Sequence, residues 1–283
     1  MNILIVGYGS IGKRHFQNSV ALGHKVEIYS KHLNKTIPRR RKYNLIIIAS
    51  KTSEHLKDIK RFKNLGKNFF IEKPLAITEK DGKTIKKIIK GKKIMMGYNL
   101  IFHPIVDKIK KILEQKKLGK IFLVQIHCGS YLPNWRKRDY RKSYSASKKM
   151  GGGVLLDLVH EINYFQYLFP GSIQQIDGYS DKISNLDITS KDTALIVLKQ
   201  KKRYIHISLN YWQKNAERYI KIYGENESLY ADLLSNETER SRNQMYIDEI
   251  EFAEKYITNK KPLPKILGIN QAIKDLKIIN AVK

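Results

Sequence analysis

The feature that most constrains this chain is a glycine-rich turn near its start. An apolar run over residues 2–6 leads into the string GYGSIG, which has the pattern G-x-G-x-x-G and consists of Gly7, Tyr8, Gly9, Ser10, Ile11 and Gly12. In this pattern the first glycine permits a tight turn, the second lets backbone approach a pyrophosphate, and the third allows a helix to pack closely on a strand. Because the start of a helix offers free N–H groups to anions, we expect residues 7–12 to bind a dinucleotide; a glycine turn without a ligand is the alternative.

The residues that follow alternate between apolar runs and helical stretches. Strands are expected at 25–29, 44–49, 68–71 and 94–97, and Pro104 opens a further helix. This alternation predicts a doubly wound parallel sheet covered on both faces, that is, an α/β Rossmann domain over residues 1–118.

The pattern changes after Gly119. Runs at 121–127, 193–199, 203–212 and 219–223 have hairpin-like spacing, so residues 119–283 are expected to form a second α/β domain with an open, mainly antiparallel sheet. A long helix over 155–169 interrupts these strands, and helices near 245–258 and 269–282 close the chain. The last of them could pack back on the first domain.

The charge balance leaves several partners open. The 283 residues carry 54 Lys and Arg against 26 Asp and Glu, a net charge of +28. We expect a solvated, lysine-rich surface because lysine occurs in every segment; steering of an anionic ligand and nucleic-acid binding are the alternatives, although no nucleic-acid-binding motif appears. No apolar run approaches the roughly 18 residues of a membrane span.

The cysteine and histidine content bears on compartment and metal binding. Cys128 is the only cysteine, which excludes an internal disulfide and fits a reducing compartment. No charged leader segment precedes the glycine turn, so a cytoplasmic protein is expected. Cys128, His103 and His127 are assigned to packing or capping, and no metal site is expected because their spacing does not suit one.

The end of the second strand bears on the choice of cofactor. An NAD-binding chain usually presents Asp or Glu there to the ribose 2′-hydroxyl, whereas this chain has Ser30, Lys31 and His32. A hydroxyl beside cations suits a 2′-phosphate, so NADP is favoured over NAD, with a merely solvated Lys31 as the alternative. The stretch from 31 to 42 is also too short for the usual second helix.

Three further motifs accompany the glycine turn in order along nearly the whole chain: Glu72-Lys73-Pro74, YNLIFHP at 98–104, and GGGVLLDLVHE at 151–161. Together they resemble the Gfo/Idh/MocA family of glucose-fructose oxidoreductases and inositol dehydrogenases. The sequence is similar to the subset linked to nonulosonic acid and nucleotide-sugar pathways, with Val159 replacing a serine.

The resemblance implies a nicotinamide cofactor, a sugar substrate, and dimers or tetramers formed through the C-terminal sheet. It implies a cis Lys73-Pro74 bond and cofactor contacts at Ala49, Ser50, His55, Glu72 and Lys73. Asn99 is an implied substrate contact.

Lys73, Asp157 and His160 are the candidate catalytic residues. Lys73 follows a parallel strand at the edge where ligands bind, and its ammonium can stabilise a developing alkoxide. Asp157 and His160 are three apart on an expected helix, so the carboxylate could fix the imidazole tautomer. In the family that the sequence resembles, the corresponding two residues are usually four positions apart, so the spacing of three is a departure. The alternatives are a structural histidine at 160 and, for Glu161, a charge on the helix face.

The loop from 131 to 150 is the candidate for substrate recognition. It contains Trp135, Arg136, Arg141 and Tyr144, and aromatic rings stack on sugars while guanidinium groups hold carboxylate or phosphate. Together with Asn99, Lys73, Asp157 and His160 these residues would bind an anionic sugar derivative; a flexible cationic loop is the alternative.

We therefore expect an NAD(P)-dependent sugar dehydrogenase or reductase. The main rival is a nucleotide-sensing regulatory or partner-binding protein on the same fold, which would not need Lys73, Asp157 and His160.

Overall fold

The computed structural model describes residues 1–33, 42–235 and 238–283. The helices are α1 (Ser10–Ala21), α2 (His55–Phe62), α3 (Glu79–Ile88), α4 (Pro104–Glu114), α5 (Val154–Asp157), α6 (Val159–Leu168), α7 (Glu239–Ile257) and α8 (Ile269–Ala281). The expectation of too short a second helix falls on residues 34–41, outside the described residues. In that described part, no helix combines the length and apolar character needed to cross a bilayer.

The chain divides into two compact units. One comprises Met1–Asn99 and Glu239–Leu276, and the other comprises Leu100–Thr238 and Lys277–Lys283. This division differs from the expected boundary after residue 118. Helix α4 groups with the second unit, where the Lys110 ammonium lies 5.2 Å from the Tyr167 ring centroid, and α7 and most of α8 group with the first.

The first unit is built on a parallel sheet with strand order β2-β1-β3-β4-β5. Its strands are β1 (Asn2–Val6), β2 (Lys25–Tyr29), β3 (Leu45–Ile48), β4 (Asn68–Glu72) and β5 (Lys93–Gly97). Every residue of β3 is buried, as expected of a parallel strand covered by helices on both faces. The predicted parallel sheet is confirmed.

The second unit contains a mixed sheet with strand order β11-β10-β6-β9-β8-β7. Its strands are β6 (Ile121–Gly129), β7 (Gln175–Asp181), β8 (Thr193–Gln200), β9 (Arg203–Asn210), β10 (Glu217–Gly224) and β11 (Ser228–Asp232). Only β6 and β9 pair in parallel, so the expectation of a mainly antiparallel sheet is confirmed. The sequence did not predict the edge strands β7 and β11.

The expected single helix over 155–169 is wrong, because the structure has two helices there. Leu158 separates α5 from α6 and leaves helical geometry, with φ −99° and ψ 28°. Residues 154–165 are all buried. A segment without an exposed face shows no helical alternation of apolar and polar residues, so its sequence pattern does not reveal where one helix ends and the next begins. Asp157 and His160 therefore do not lie on one continuous helix.

Glu161 is fully buried, which corrects its assignment as a charge on the helix face. The Arg218 Nε of β10 donates to Glu161 Oε1 at 2.7 Å. A charge this deeply buried needs such a partner, since an isolated one would be very costly to desolvate. Cys128 is also buried in this region, and burial raises the pKa of its thiol to about 12.

Candidate active site

The candidate residues fall into two groups, one in each unit. In the first unit the strand order reverses between β1 and β3, and such a reversal opens a crevice at the carboxyl ends of parallel strands. Gly7 follows β1, and Ala49 and Ser50 follow β3. The chain therefore brings three predicted cofactor-binding positions to the edge where doubly wound sheets bind ligands.

Glycine is found at the three positions of the turn for different structural reasons. Gly7 has φ +100°, and a Cβ there would lie 2.5 Å from the Ser50 nitrogen. A Cβ on Gly12 would lie 2.1 Å from the Gly7 oxygen, whereas one on Gly9 would meet no atom within 4 Å. The fold thus requires glycine at 7 and 12, while the open side of Gly9 leaves room for a ligand to approach the backbone.

The start of α1 presents this open side to an anion. Gly9 is its N-cap and supplies no capping side chain, and the first turn carries no acidic residue. The N–H groups at this end therefore keep their capacity to bind an anion. The turn, including Tyr8, Ser10 and Ile11, fits the pyrophosphate of a dinucleotide.

Ser30 and Lys31 lie after β2, as predicted. Ser30 is buried, and the exposed Lys31 forms an ion pair with Glu54. This hydrogen bond raises the pKa of Lys31 and lowers that of Glu54. The sequence did not single out Glu54, because only the fold brings it to the end of β2, and it places a carboxylate beside the residues expected to accept a 2′-phosphate.

His55 is buried with both ring nitrogens against backbone carbonyls. Nδ1 lies 3.2 Å from the Leu75 oxygen and Nε2 lies 3.1 Å from the Ser50 oxygen. Desolvation lowers the pKa of the ring. The ring therefore connects the turn after β3 to the segment after Pro74, and its polar atoms are committed to the protein.

Lys73 follows β4, and its peptide bond to Pro74 is cis, which confirms that expectation. Lys73 is half-buried. Asn99 is buried after β5, next to Tyr98, whose hydroxyl donates to Asp275 Oδ2 at 2.7 Å. That bond attaches the end of β5 to α8.

In the second unit, Asp157 accepts hydrogen bonds from two tyrosines. The Tyr211 hydroxyl donates to Oδ2 at 2.6 Å, and Tyr144 donates to the same carboxylate. Burial, reinforced by the Asp157 charge, raises the pKa of both phenols well above the ordinary value, so both remain donors at neutral pH. The sequence singled out Tyr144 as a sugar-binding residue and missed Tyr211, which lay inside the strand expected over 203–212, whereas β9 ends at Asn210.

Glycines lead the chain into this cluster. A Cβ on Gly152 would lie 2.1 Å from the Tyr144 oxygen, and Gly153 has φ +127°. The backbone can therefore pass directly over Tyr144 before α5 begins. Asp157 ends α5, and His160 is buried near the start of α6.

Trp135 and Arg136 join the same cluster. Trp135 Nε1 donates to Ser130 Oγ at 2.9 Å, and its ring meets Tyr211 edge to face with centroids 5.2 Å apart. The Arg136 guanidinium lies 5.8 Å from the Tyr144 ring centroid. One aromatic wall and one cation thus adjoin the two tyrosines that bind Asp157.

Arg141 is placed differently. It is exposed, and its Nε and Nη2 donate to Asp139 at 2.9 and 3.0 Å. Asp187 lies 3.8 Å from its Nη1. The Arg141 guanidinium already binds a carboxylate. Arg141 is therefore not part of the cluster that contains Trp135 and Arg136.

His103 and His127 bind groups of the protein itself. His103 is the N-cap of α4, where Nδ1 accepts from the Ile105 N–H at 3.1 Å, as its assignment to capping predicted. His127 contacts Ser208 Oγ at 2.7 Å and Gln213 Oε1 at 2.9 Å. Across the described ranges, no three His, Cys, Asp or Glu side chains are grouped to hold a metal.

Two family models match the chain in succession. Residues 19–100 match an oxidoreductase family with an NAD-binding Rossmann fold, and residues 106–230 match the GFO/IDH/MocA C-terminal domain. Together these matches cover most of both units.

Individual relatives are distant. The chain is 24% identical over 221 residues to the uncharacterized oxidoreductase YrbE of Bacillus subtilis, a match covering 69% of this chain and 62% of YrbE. A second uncharacterized oxidoreductase, from Streptococcus pneumoniae, is matched over about half of its own length.

Two solved structures show the same fold. GenD2 from gentamicin A biosynthesis, in complex with NAD, has a TM-score of 0.85 at 14% identity and covers 100% of this chain and 93% of its own. The WlbA dehydrogenase of Bordetella pertussis, with NADH and UDP-GlcNAcA, has a TM-score of 0.79 at 16% identity and covers 100% and 95%.

Alanine at the second and third glycines separates ligand binding from folding. Gly9→Ala should leave the melting temperature nearly unchanged but weaken dinucleotide binding by about tenfold or more, because its methyl group occupies only the open side. Gly12→Ala should destabilise the fold, because its methyl group overlaps backbone. Thermal unfolding and nicotinamide fluorescence titration measure the two effects. Unchanged binding by the Gly9 variant would contradict a pyrophosphate at this turn.

Proposed function

Because the chain belongs to the Gfo/Idh/MocA family of NAD-binding oxidoreductases, we propose that it transfers a hydride between a nicotinamide and a sugar derivative that carries negative charge. The observation that carries the proposal is the open side of Gly9 at the uncapped start of α1, which fits a dinucleotide. The cofactor supplies or accepts the hydride at its C4 atom. The WlbA dehydrogenase, which has the same fold, binds UDP-GlcNAcA in its solved structure, and this supports a sugar derivative as the substrate class.

Each catalytic candidate receives a role from its own chemistry. Lys73 carries a positive charge that stabilises the substrate oxygen as it becomes an alkoxide or carbonyl. His160 exchanges the hydroxyl proton as general acid and base. Asp157 accepts hydrogen bonds from Tyr144 and Tyr211, which holds the end of α5 in place and so positions His160 at the start of α6.

The negative charge of the substrate is inferred from the loop residues. Arg136 lies by Tyr144, and Trp135 offers a ring beside Tyr211. A neutral polyol would need carboxylate or amide partners more than a guanidinium, whereas a phosphate or carboxylate binds such a fork directly.

We also propose self-association through the outer face of the C-terminal sheet. Large apolar side chains stand exposed on this face: Tyr179, Leu195, Val197, Tyr204 and Tyr230. Tyr179 lies opposite Leu195, and Leu195 opposite Ser208. Extended apolar patches of this kind mark interaction sites, and a second copy of the chain is the proposed occupant. A monomer mass in sedimentation at micromolar concentration would refute this.

NADP should bind more tightly than NAD. Ser30 and Lys31 can receive a 2′-phosphate, and Lys31→Met should weaken NADP by about tenfold while leaving NAD nearly unchanged. Glu54→Gln should strengthen NADP binding, because it removes the carboxylate that now binds Lys31. Fluorescence titrations with both cofactors provide the measurement. Tighter binding of NAD by the unaltered protein would show that the phosphate interpretation is wrong.

Substitution of the catalytic candidates should lower turnover and spare cofactor affinity. Lys73→Met and His160→Asn should each reduce kcat by about a hundredfold, because both groups act mainly in the transition state. Asp157→Asn should cost less than His160→Asn. The rate at which the absorbance of the reduced nicotinamide changes gives kcat, and titration of the protein with cofactor gives the cofactor affinity. Tight cofactor binding without turnover on any sugar would instead favour a nucleotide sensor.

Two arginines in the loop form a matched pair. Arg136→Ala should raise KM for a sugar phosphate or sugar acid by about tenfold, with a smaller effect on kcat. Arg141→Ala should change KM by less than about threefold, because Asp139 already occupies its guanidinium. The Arg136 penalty should shrink for a neutral analogue. Equal penalties on charged and neutral sugars would contradict an anionic substrate.

A further inference from the structure

A groove in the second unit carries cations that the proposed chemistry does not use. It has a volume of about 610 Å³ and is formed by the end of α4, the start of β6, the end of α6 and the turn between β8 and β9. This volume lies in the range of protein sites for small molecules. None of the residues that line the groove is among the cofactor-binding, catalytic or substrate-binding candidates.

Five cationic side chains and no acidic one line the groove: Lys116, Lys120, Lys201, Lys202 and Arg203. The four lysines are exposed, and Arg203 is half-buried. In the described part of the chain, no carboxylate forms an ion pair with any of the five. Glu225 accepts from the backbone N–H of Lys120 at 3.5 Å and not from its ammonium group. An anion that enters the groove therefore meets an uncompensated positive field.

Arg203 is the most enclosed of these cations. Its guanidinium carbon lies 5.2 Å from the ring centroid of Phe169, which caps the end of α6. The Phe169 oxygen accepts from Gln200 Nε2 at 2.9 Å, so the end of α6 is joined to the end of β8. Burial alone lowers the pKa of Arg203. A guanidinium that has lost part of its hydration without gaining a carboxylate is costly to the free protein and gains from an incoming anion.

Two of the lysines occupy backbone positions that do not suit lysine. Lys116 and Lys201 each have φ +55°, and in the described ranges the only other non-glycine residue with positive φ is Asn259. Glycine and asparagine adopt this conformation at lower cost. Lys201 and Lys202 form the two-residue turn between β8 and β9, where pairs such as Asn-Gly are usual. Folding alone favours other residues at these positions, and what lysine adds is charge at two separate segments of the groove.

The groove is apolar between its cations. Leu118, Leu168 and Phe169 are among the residues that line it. An inorganic ion gains nothing from such walls, whereas a ligand with an apolar body and an anionic group can use both kinds of surface. Phosphate suits the cations better than carboxylate does, because it carries up to two negative charges and several acceptor oxygens.

We propose that this groove is a second ligand site, which binds a small molecule in which a phosphate group is attached to an apolar body. Arg203 and the surrounding lysines bind the phosphate, and the apolar walls contact the body. The site goes beyond the proposed oxidoreductase function and does not depend on it.

The probe for this site is 1-naphthyl phosphate, which joins a phosphate to an apolar ring system. Calorimetry on the full chain, with and without NADPH to fill the dinucleotide-binding turn, should give saturable binding with a Kd below about 1 mM in both cases. The two halves of the probe, 1-naphthol and inorganic phosphate, should each bind at least about tenfold more weakly, because each uses only one kind of surface.

Two substitutions in the groove should separate binding from folding. Arg203→Met should weaken binding of 1-naphthyl phosphate by about tenfold or more without lowering the melting temperature, because it removes an unpaired and partly desolvated charge. Lys201→Asn should weaken binding by about threefold and raise the melting temperature, because asparagine suits a left-handed backbone.

Two control proteins should bind the probe as the unaltered protein does. One carries Lys86→Gln and Lys87→Gln, which remove two exposed charges from α3 in the first unit. The other carries Arg136→Ala, at the proposed substrate site.

Several results would overturn the proposal. One is the absence of saturable binding of 1-naphthyl phosphate below about 1 mM, and another is an equal loss of affinity in the α3 control. Loss of binding in Arg136→Ala would also overturn it, since the probe would then occupy the proposed substrate site. If Arg203→Met does not fold, Lys201→Asn decides, and unchanged affinity in that variant refutes the site. No turnover is measured, so failure of the proposed oxidoreductase function leaves this test intact.

Discussion

The backbone at Gly7 runs so close to the backbone of Ala49 and Ser50 that no side chain fits between them, and the rest of the first unit depends on this contact. A Cβ on Gly7 would lie 2.6 Å from the Ala49 oxygen. The contact joins the ends of β1 and β3, and Gly12 packs α1 against Gly7 from the next turn. The start of α1 is thereby fixed at the point where the strand order reverses, and an uncapped helix start at that point is suited to binding phosphate.

Buried polar groups then determine which side chains can act. In the first unit, His15 Nε2 lies 2.5 Å from Oε1 of Glu72, the residue before Lys73. In the second, Tyr144 and Tyr211 donate to Asp157. In both places a buried carboxylate is held by side chains inside the protein, which limits the conformations of the neighbouring catalytic candidate. Rigid support of this kind costs stability and favours function.

Much of this could be predicted from sequence, and the exceptions have physical causes. The parallel sheet followed from continuous apolar runs, and the glycine turn from its spacing after a strand. The edge strands β7 and β11 were missed because their polar, partly exposed residues lack a strong apolar pattern. The break at Leu158 was missed because a helix buried on all sides shows no regular alternation of apolar and polar residues. Glu54 and Tyr211 gain their importance from partners far along the chain, Lys31 and Asp157, which no local pattern reveals.

We propose that hydride passes between a nicotinamide C4 and a sugar carbon on this chain. Incubation of the protein with NADPH or NADH carrying deuterium at both C4 positions, and with oxidised forms of nucleotide sugars, sugar acids and neutral sugars, followed by mass spectrometry of the products, tests it directly. The expected product carries one deuterium on the carbon that was reduced from a carbonyl to an alcohol. In the His160→Asn protein the same labelled product should form about a hundredfold more slowly. Bound cofactor with no deuterium in any sugar product would contradict it, and label found only in neutral products would contradict the anionic substrate alone.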